Sequence, residues 1–100
     1  MNINHSNYNI VGAKAPIVRH IKDEYLQLPV DDLLPGDMVV ISPSNVFDEI
    51  ELLRSLKHGL VMSMTKMDSI TLGVKFLTPG FALEQDEITL FQRVLVRRLS

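Results

Sequence analysis

No cysteine occurs among the 100 residues, so disulfides, thiolate metal sites and cysteine nucleophiles are excluded. That composition suits a reducing compartment. Long apolar runs are missing as well: none approaches the ~20 residues that a membrane-spanning helix needs. The start of the chain, Met1 to Asn9, is polar and has neither the basic beginning nor the apolar stretch of a signal peptide, so a cytoplasmic location is expected. Six aromatics are scattered along the sequence without interleaved basic residues, which argues against the stacking platforms that single-strand nucleic-acid binders use. Glycine-rich phosphate loops, nucleophile elbows and Ser/His arrangements are absent. The three histidines, His5, His20 and His58, include no pair at the i, i+4 spacing that sets two ligands on one helix face. Asp31-Asp32 and Asp48-Glu49 are adjacent carboxylates that share their surroundings, whereas acid–base work needs two groups in unequal ones. A metal, a cofactor and an enzymatic activity are therefore not expected.

What is present suits one small domain. A chain of this length buries roughly two-thirds of its unfolded surface without staples, and 46% hydrophobic with 22% charged residues is ordinary for a globular protein. The net charge of −2 is unevenly spread: residues 1–50 carry three basic and seven acidic side chains, residues 51–100 seven and five. The basic excess ends in Arg93, Arg97 and Arg98, which is where cations favour a helix C-terminus. An acidic balance argues against a general nucleic-acid binder.

Read in order, residues 1–14 are expected to form a flexible N-terminal arm with Tyr8, Ile10 and Val11 as anchors, and residues 15–100 the domain. Ala15 to Ile21 is β-rich. Tyr25 to Val30 alternates as a half-buried strand, with Pro29 marking its end or a sheet edge. In Leu34-Pro35-Gly36-Asp37, Pro presets φ and Gly supplies a positive φ, the chemistry of a type II turn. Met38 to Ile41 then makes a short strand. Ser42 and Ser44 flank Pro43 and shape a turn. Between Val46 and His58 two readings stand: a helix capped by Asn45, acidic in its first turns and stopped at Gly59, or a long, bent strand pair in which the alternating Glu49-Ile50-Glu51-Leu52 runs through Ser55 into Leu60 to Met64. Leu60 to Met64 and Ile70 to Leu77 flank a hairpin connection over Thr65 to Ser69, with Met62 and Met64 filling the core. Thr78-Pro79-Gly80 repeats the earlier turn chemistry. From Leu83 on, Leu83, Leu90, Phe91, Val94, Leu95 and Leu99 recur at helical spacing, predicting an amphipathic helix over about 83–99.

From Leu60 onward this order resembles the second half of a PilZ domain: Gly59-Leu60-Val61, a loop, Leu72-Gly73-Val74-Lys75-Phe76-Leu77, then a terminal helix ending Leu95-Val96-Arg97-Arg98-Leu99. Upstream, Leu34-Pro35-Gly36-Asp37-Met38-Val39-Val40-Ile41 is similar to the start of that family's apolar–Gly–x–Val strand. The resemblance implies a mainly β fold, a small six-stranded antiparallel PilZ-like barrel with a C-terminal α-helix. The alternative is an α+β fold with a second helix at about 46–58. Independently of the family, Val74 and Phe76 share a strand face and belong inside, with Lys75 outside.

PilZ domains that bind cyclic di-GMP carry Arg-x-x-x-Arg in the N-terminal arm and an (Asp/Asn)-x-Ser-x-x-Gly strand motif, and the N-terminal part of this chain has neither. Lys14, Arg19 and Lys22 are the nearest basic residues. Asp23 takes the acidic slot, but Tyr25 stands where Ser is wanted and Leu28 where Gly is wanted. Charge-assisted hydrogen bonds to phosphate contribute roughly 1.5–3 kcal/mol each, so losing two costs about two to four decades of affinity. The resemblance thus implies a non-enzymatic regulatory or adaptor module in bacterial signalling or motility, with cyclic di-GMP binding weak or lost. Its partner is another protein, a homo-oligomer being compatible with the sequence. Phe47, Met67 and Phe81, close to turns, are the candidate contact residues. The alternative is a nucleic-acid-binding or structural assembly subunit that uses the basic C-terminal helix.

Overall fold

A computed structural model describes residues 7–12, 25–46 and 48–97. Among the described residues the strands are β1 (Tyr8–Ile10), β2 (Tyr25–Pro29), β3 (Met38–Pro43), β4 (Lys57–Lys66), β5 (Thr71–Leu77), β6 (Leu83–Thr89) and β7 (Arg93–Arg97), with one α-helix, α1 (Glu49–Ser55), between β3 and β4 and a 3-10 turn over Val30–Asp32. They form a single antiparallel sheet in the order β2-β7-β3-β4-β5-β6, with β1 paired to β3. The fold is mainly β. Among the described residues, no helix is long and apolar enough to cross a membrane.

The apolar runs explain the centre of the sheet. Met38-Val39-Val40-Ile41 does not alternate because both faces of β3 are covered. Val39 and Ile41 enter the main core with Val61, Val74, Phe76, Ile88, Val94 and Val96. Val40 instead packs with Val11 and Leu95 in a second cluster, against Leu52, Leu53 and Leu56 of the α1 region. Continuous β-branched runs are what two-sided burial selects. Phe76 is fully buried, worth roughly 1.5–3 kcal/mol relative to exposure. Its ring lies across β4 where there is no side chain: a Cβ on Gly59 would come 2.7 Å from Phe76 Cδ2 and 3.3 Å from Ile41 Cγ2. Val74 and Phe76 point inward as expected, and Lys75 is half-buried on the other face.

The segment after Val46 is helical, the alternative reading rather than a long bent strand, though shorter than 46–58. The cap is Asp48, not Asn45; its carboxylate accepts from the Ile50 amide at 2.9 Å. Nor does Gly59 stop the helix, which ends at Leu56. The next strand already begins at Lys57 and runs through Gly59.

The terminal helix expected over 83–99 does not form: residues 83–89 and 93–97 are strands β6 and β7. Two patterns had merged into an apparent 3.6-residue period. In β6, Ile88 faces the core and Leu83 the opposite side. In β7, Val94 and Val96 enter the main core while Leu95 turns to the second cluster. The turn joining them closes with the Gln92 amide on the Thr89 carbonyl at 3.0 Å, without the glycine or proline that usually marks such a turn.

The β4–β5 hairpin lies where the sequence put it. Its connection is held by the Met67 amide on the Thr71 carbonyl (2.9 Å) and the Ile70 amide on Asp68 Oδ1 (2.8 Å). That backbone bond holds the exposed Asp68 carboxyl below its usual range. The register slips between Val61 and Ser63, and such a bulge bends a strand. Beyond it the β4–β5–β6 ribbon curls until β6 approaches β1. There the Ile10 amide donates to Asp86 Oδ2 at 2.8 Å, a side-chain link in place of a strand ladder.

Candidate functional site

Two exposed features stand out at the β5–β6 end. Four apolar residues lie in register across adjacent strands: Met38 opposite Leu60, Leu60 opposite Leu77, and Leu77 opposite Leu83. Their strand neighbours Val39, Val61 and Phe76 point into the core, so this row lies on the opposite, outer face. Exposure increases along it, from half-buried Met38, Leu60 and Leu77 to Leu83 at 36%.

Beside Leu83 is the tip of the hairpin, where Phe81 is 83% exposed. Its backbone is left-handed, with φ 60°, the one positive φ at a non-glycine residue among the described residues. The tip is well bonded: the Phe81 amide donates to the Thr78 carbonyl (2.8 Å), the Thr78 amide to the Ala82 carbonyl (2.9 Å), and the Ala82 amide to Thr78 Oγ1 (3.2 Å). An aromatic ring in water on a strained backbone has no folding rationale within the chain.

The other candidates are dispersed. Lys14, Arg19, Lys22, Asp23 and Phe47 lie outside the described residues, as do His5 and His20. Met67 is exposed at the β4–β5 turn, at the opposite end of the ribbon from Phe81, and its sulfur lies over Gly73, where a Cβ would come within 3.0 Å. His58 stacks on Tyr25, ring centroids 5.6 Å apart, with the Tyr25 hydroxyl 2.9 Å from its Nε2. Met64 packs on the core, as expected, but Met62, beside the bulge, is exposed. Arg93 and Arg97 sit on β7, paired with Pro29 and Tyr25 of β2, so the helix that was to present them to nucleic acid is not formed.

Among the described residues no group of three metal-ligating side chains converges, and every buried side-chain nitrogen or oxygen has a hydrogen-bond partner. A polar depression of about 370 Å³ lies between β1 and the end of β3, lined by Asn7, Tyr8, Pro43, Ser44 and Asn45. Ser44 closes it through its amide and hydroxyl, both on the Asn7 carbonyl. The partly buried Asp86 carboxyl is raised above its usual range chiefly by desolvation; its bonds from the Ile10 and Glu87 amides act the other way. Its carboxylate links β6 to β1.

Comparison with family models, with curated proteins and with solved structures finds no match. Of the pieces that carried the PilZ resemblance, Met38–Pro43 and Thr71–Leu77 are strands, whereas the terminal piece is not helical. Sequence reasoning singled out Phe81 from its place near a turn. It missed Leu83 as a surface residue, because Leu83 was assigned to the apolar face of a helix. No alternation through Leu83-Glu84-Gln85-Asp86-Glu87-Ile88 marks the strand, because its two apolar residues face opposite sides of the sheet.

Proposed function

We propose that this chain is a non-enzymatic regulatory or adaptor module that acts by contacting another protein, with cyclic di-GMP binding weak or lost. The observation that carries this reading is Phe81, an aromatic side chain 83% exposed on a left-handed backbone. A bulky residue there costs about 1–2 kcal/mol relative to one free of the Cβ clash, a cost that a binding role offsets. The outer apolar row ending at Leu83 supports the same reading, since exposed aromatic and aliphatic anchors dominate protein interfaces. We read the curled sheet as a small barrel left without a ladder between β6 and β1, the Asp86 side chain reaching the Ile10 amide across that seam while, among the described residues, the backbone edge of β6 stays open. A bacterial signalling or motility setting in the cytoplasm rests on the PilZ resemblance alone, now without its terminal helix.

Paired affinity captures test the proposal: the chain and its Phe81→Ser variant serve as baits in a lysate of the source organism. At least one protein is expected to be retained by the first and lost from the second, and to bind the purified chain directly. Identical captures, or none, would remove the proposal. Calorimetry with cyclic di-GMP is expected to give no saturating heat at ligand concentrations on the order of 100 μM. Micromolar binding would show the ligand site to be intact.

A further inference from the structure

Building on that adaptor reading, we propose that the free edge of β6 accepts an extended, basic segment of the partner protein as an added strand. That segment places an apolar side chain beside Leu83 and a lysine or arginine beside Glu87, four residues further along. The backbone groups at the edge are the first support. The Leu90 amide bonds to the Ile70 carbonyl, and the Ala82 carbonyl accepts from the Thr78 amide. Even-numbered residues of this stretch therefore direct their backbone groups toward β5. An antiparallel ladder alternates, so Leu83, Gln85, Glu87 and Thr89 direct theirs away from it. Among the described residues β6 pairs in a ladder with β5 only. The Glu87 amide is held by a local bond to Asp86 Oδ1 (3.0 Å), and the Thr89 carbonyl accepts from Gln92 within the turn. Among the described residues the amides of Leu83, Gln85 and Thr89 and the carbonyls of Leu83, Gln85 and Glu87 have no ladder partner, which suits them to an added strand.

The two edges of the sheet are managed differently. At the far side, β2 has five residues and ends on Pro29, which has no amide hydrogen and blunts strand addition. At β6 there are seven residues in unbroken register, with neither proline nor bulge. What β6 carries instead is charge of one sign: Glu84, Asp86 and Glu87 on the strand, with Lys75 as the basic register neighbour, opposite Gln85 on β5. Two copies of β6 laid antiparallel would bring these carboxylates against each other, and like charges across a strand pair repel. The same charges attract a basic segment. Self-association is thus selected against while a heterologous basic strand is admitted.

The faces then set the partner's pattern. Leu83, Gln85 and Glu87 alternate with the inward Glu84, Asp86 and Ile88, so they share the outer face that bears Leu77. An added strand would meet, on that face, the apolar end formed by Leu77, Leu83 and the Phe81 tip, then Gln85, then the exposed acid Glu87. Strand addition of this kind draws affinity from the main chain and specificity from alternate side chains.

The test uses the whole chain and a synthetic octapeptide of threonines carrying leucine and lysine four positions apart. A control peptide has glutamate in place of the lysine. Amide NMR is expected to show saturable shifts and slowed hydrogen exchange at Leu83, Gln85 and Thr89, with a dissociation constant on the order of 0.1–1 mM for so short a ligand. Glu87→Lys, an exposed change that leaves the core intact, should weaken the lysine peptide about five-fold or more and strengthen the control peptide. Gln85→Pro should abolish both if it folds; Glu87→Lys decides the matter if it does not. No saturation by either peptide, shifts centred away from β6, or a dimer of the chain alone with protected β6 amides would each overturn the proposal. Those results leave Phe81-dependent capture standing, so failure of the edge and failure of the adaptor reading are told apart.

Discussion

Two Pro-Gly turns in this chain share a dipeptide and solve the same problem differently. In Leu34-Pro35-Gly36-Asp37 the glycine takes the left-handed conformation, with φ 95°, and the Asp37 amide closes on the Leu34 carbonyl at 3.1 Å. That is the type II turn its sequence dictates. In Thr78-Pro79-Gly80-Phe81 the corresponding glycine keeps a negative φ and the left-handed residue is Phe81. The second tip fits a type I turn followed by one left-handed residue, a common hairpin connection in which that last position normally belongs to glycine. One turn is therefore relaxed and the other strained. The relaxed turn leads into the core strand β3, the strained one into the edge strand β6. Conformational cost is concentrated where the chain faces outward.

The largest effect should come from the side chain that locks the relaxed turn. Asp37 is buried; its carboxylate accepts the Leu34 amide at 2.9 Å and its carbonyl accepts the Val61 amide at 2.9 Å. Asp37→Ala leaves the Leu34 donor without its partner and is expected to cost about 1–3 kcal/mol, read as a lowered denaturation midpoint with unchanged m-value. A loss below ~0.5 kcal/mol would mean that the turn is held by its backbone bonds alone. Next comes Gly36→Ala, where nothing lies within 4 Å of the position that a Cβ would take. Sterics with neighbours are thus excluded, and the expected loss of about 1–2 kcal/mol is purely conformational. Equal stability in Gly36→Ala and Gly80→Ala would contradict the contrast between the two turns, since Gly80 also has open space around it but no positive φ.

The same contrast explains how far the sequence could be read. Strands announced by strong local chemistry were legible: Tyr25–Pro29 by alternation and its proline, β3 by Pro35-Gly36 ahead of a β-branched run, and β5 by Val74-Lys75-Phe76. The helix Glu49–Ser55 was legible only as one of two readings, by its acidic first turn, and the cap lay three residues beyond Asn45. Illegibility began at Leu83. Central strands buried on both faces have no alternation to detect, and Val94-Leu95-Val96 is such a run. Joined to an edge strand through a turn without glycine or proline, it imitated one long amphipathic helix. The surface followed the same rule. Phe81 was found because it sits by a turn residue, whereas Leu83 and the open edge of β6 depend on partners in β5 that are distant in the pattern though close in space.

The smallest effect, and the one of opposite sign, should come from Phe81→Gly. Relieving the left-handed strain at φ 60° gains about 1–2 kcal/mol, from which the extra backbone entropy of glycine takes back roughly 0.5–1 kcal/mol. The ring is 83% exposed, so little burial is lost with it. The net expectation is a stabilisation of about 0.5–1 kcal/mol, measured by chemical denaturation. Phe81→Ala separates the two contributions, since it removes the ring but keeps the Cβ and hence the strain, and should leave stability nearly unchanged. If both variants lose the partner in affinity capture while only the glycine variant gains stability, the ring is retained for binding at the expense of the fold. Were Phe81→Gly to destabilise, the aromatic would be an ordinary part of the hairpin's packing, and the asymmetry between the two Pro-Gly turns would carry no functional meaning.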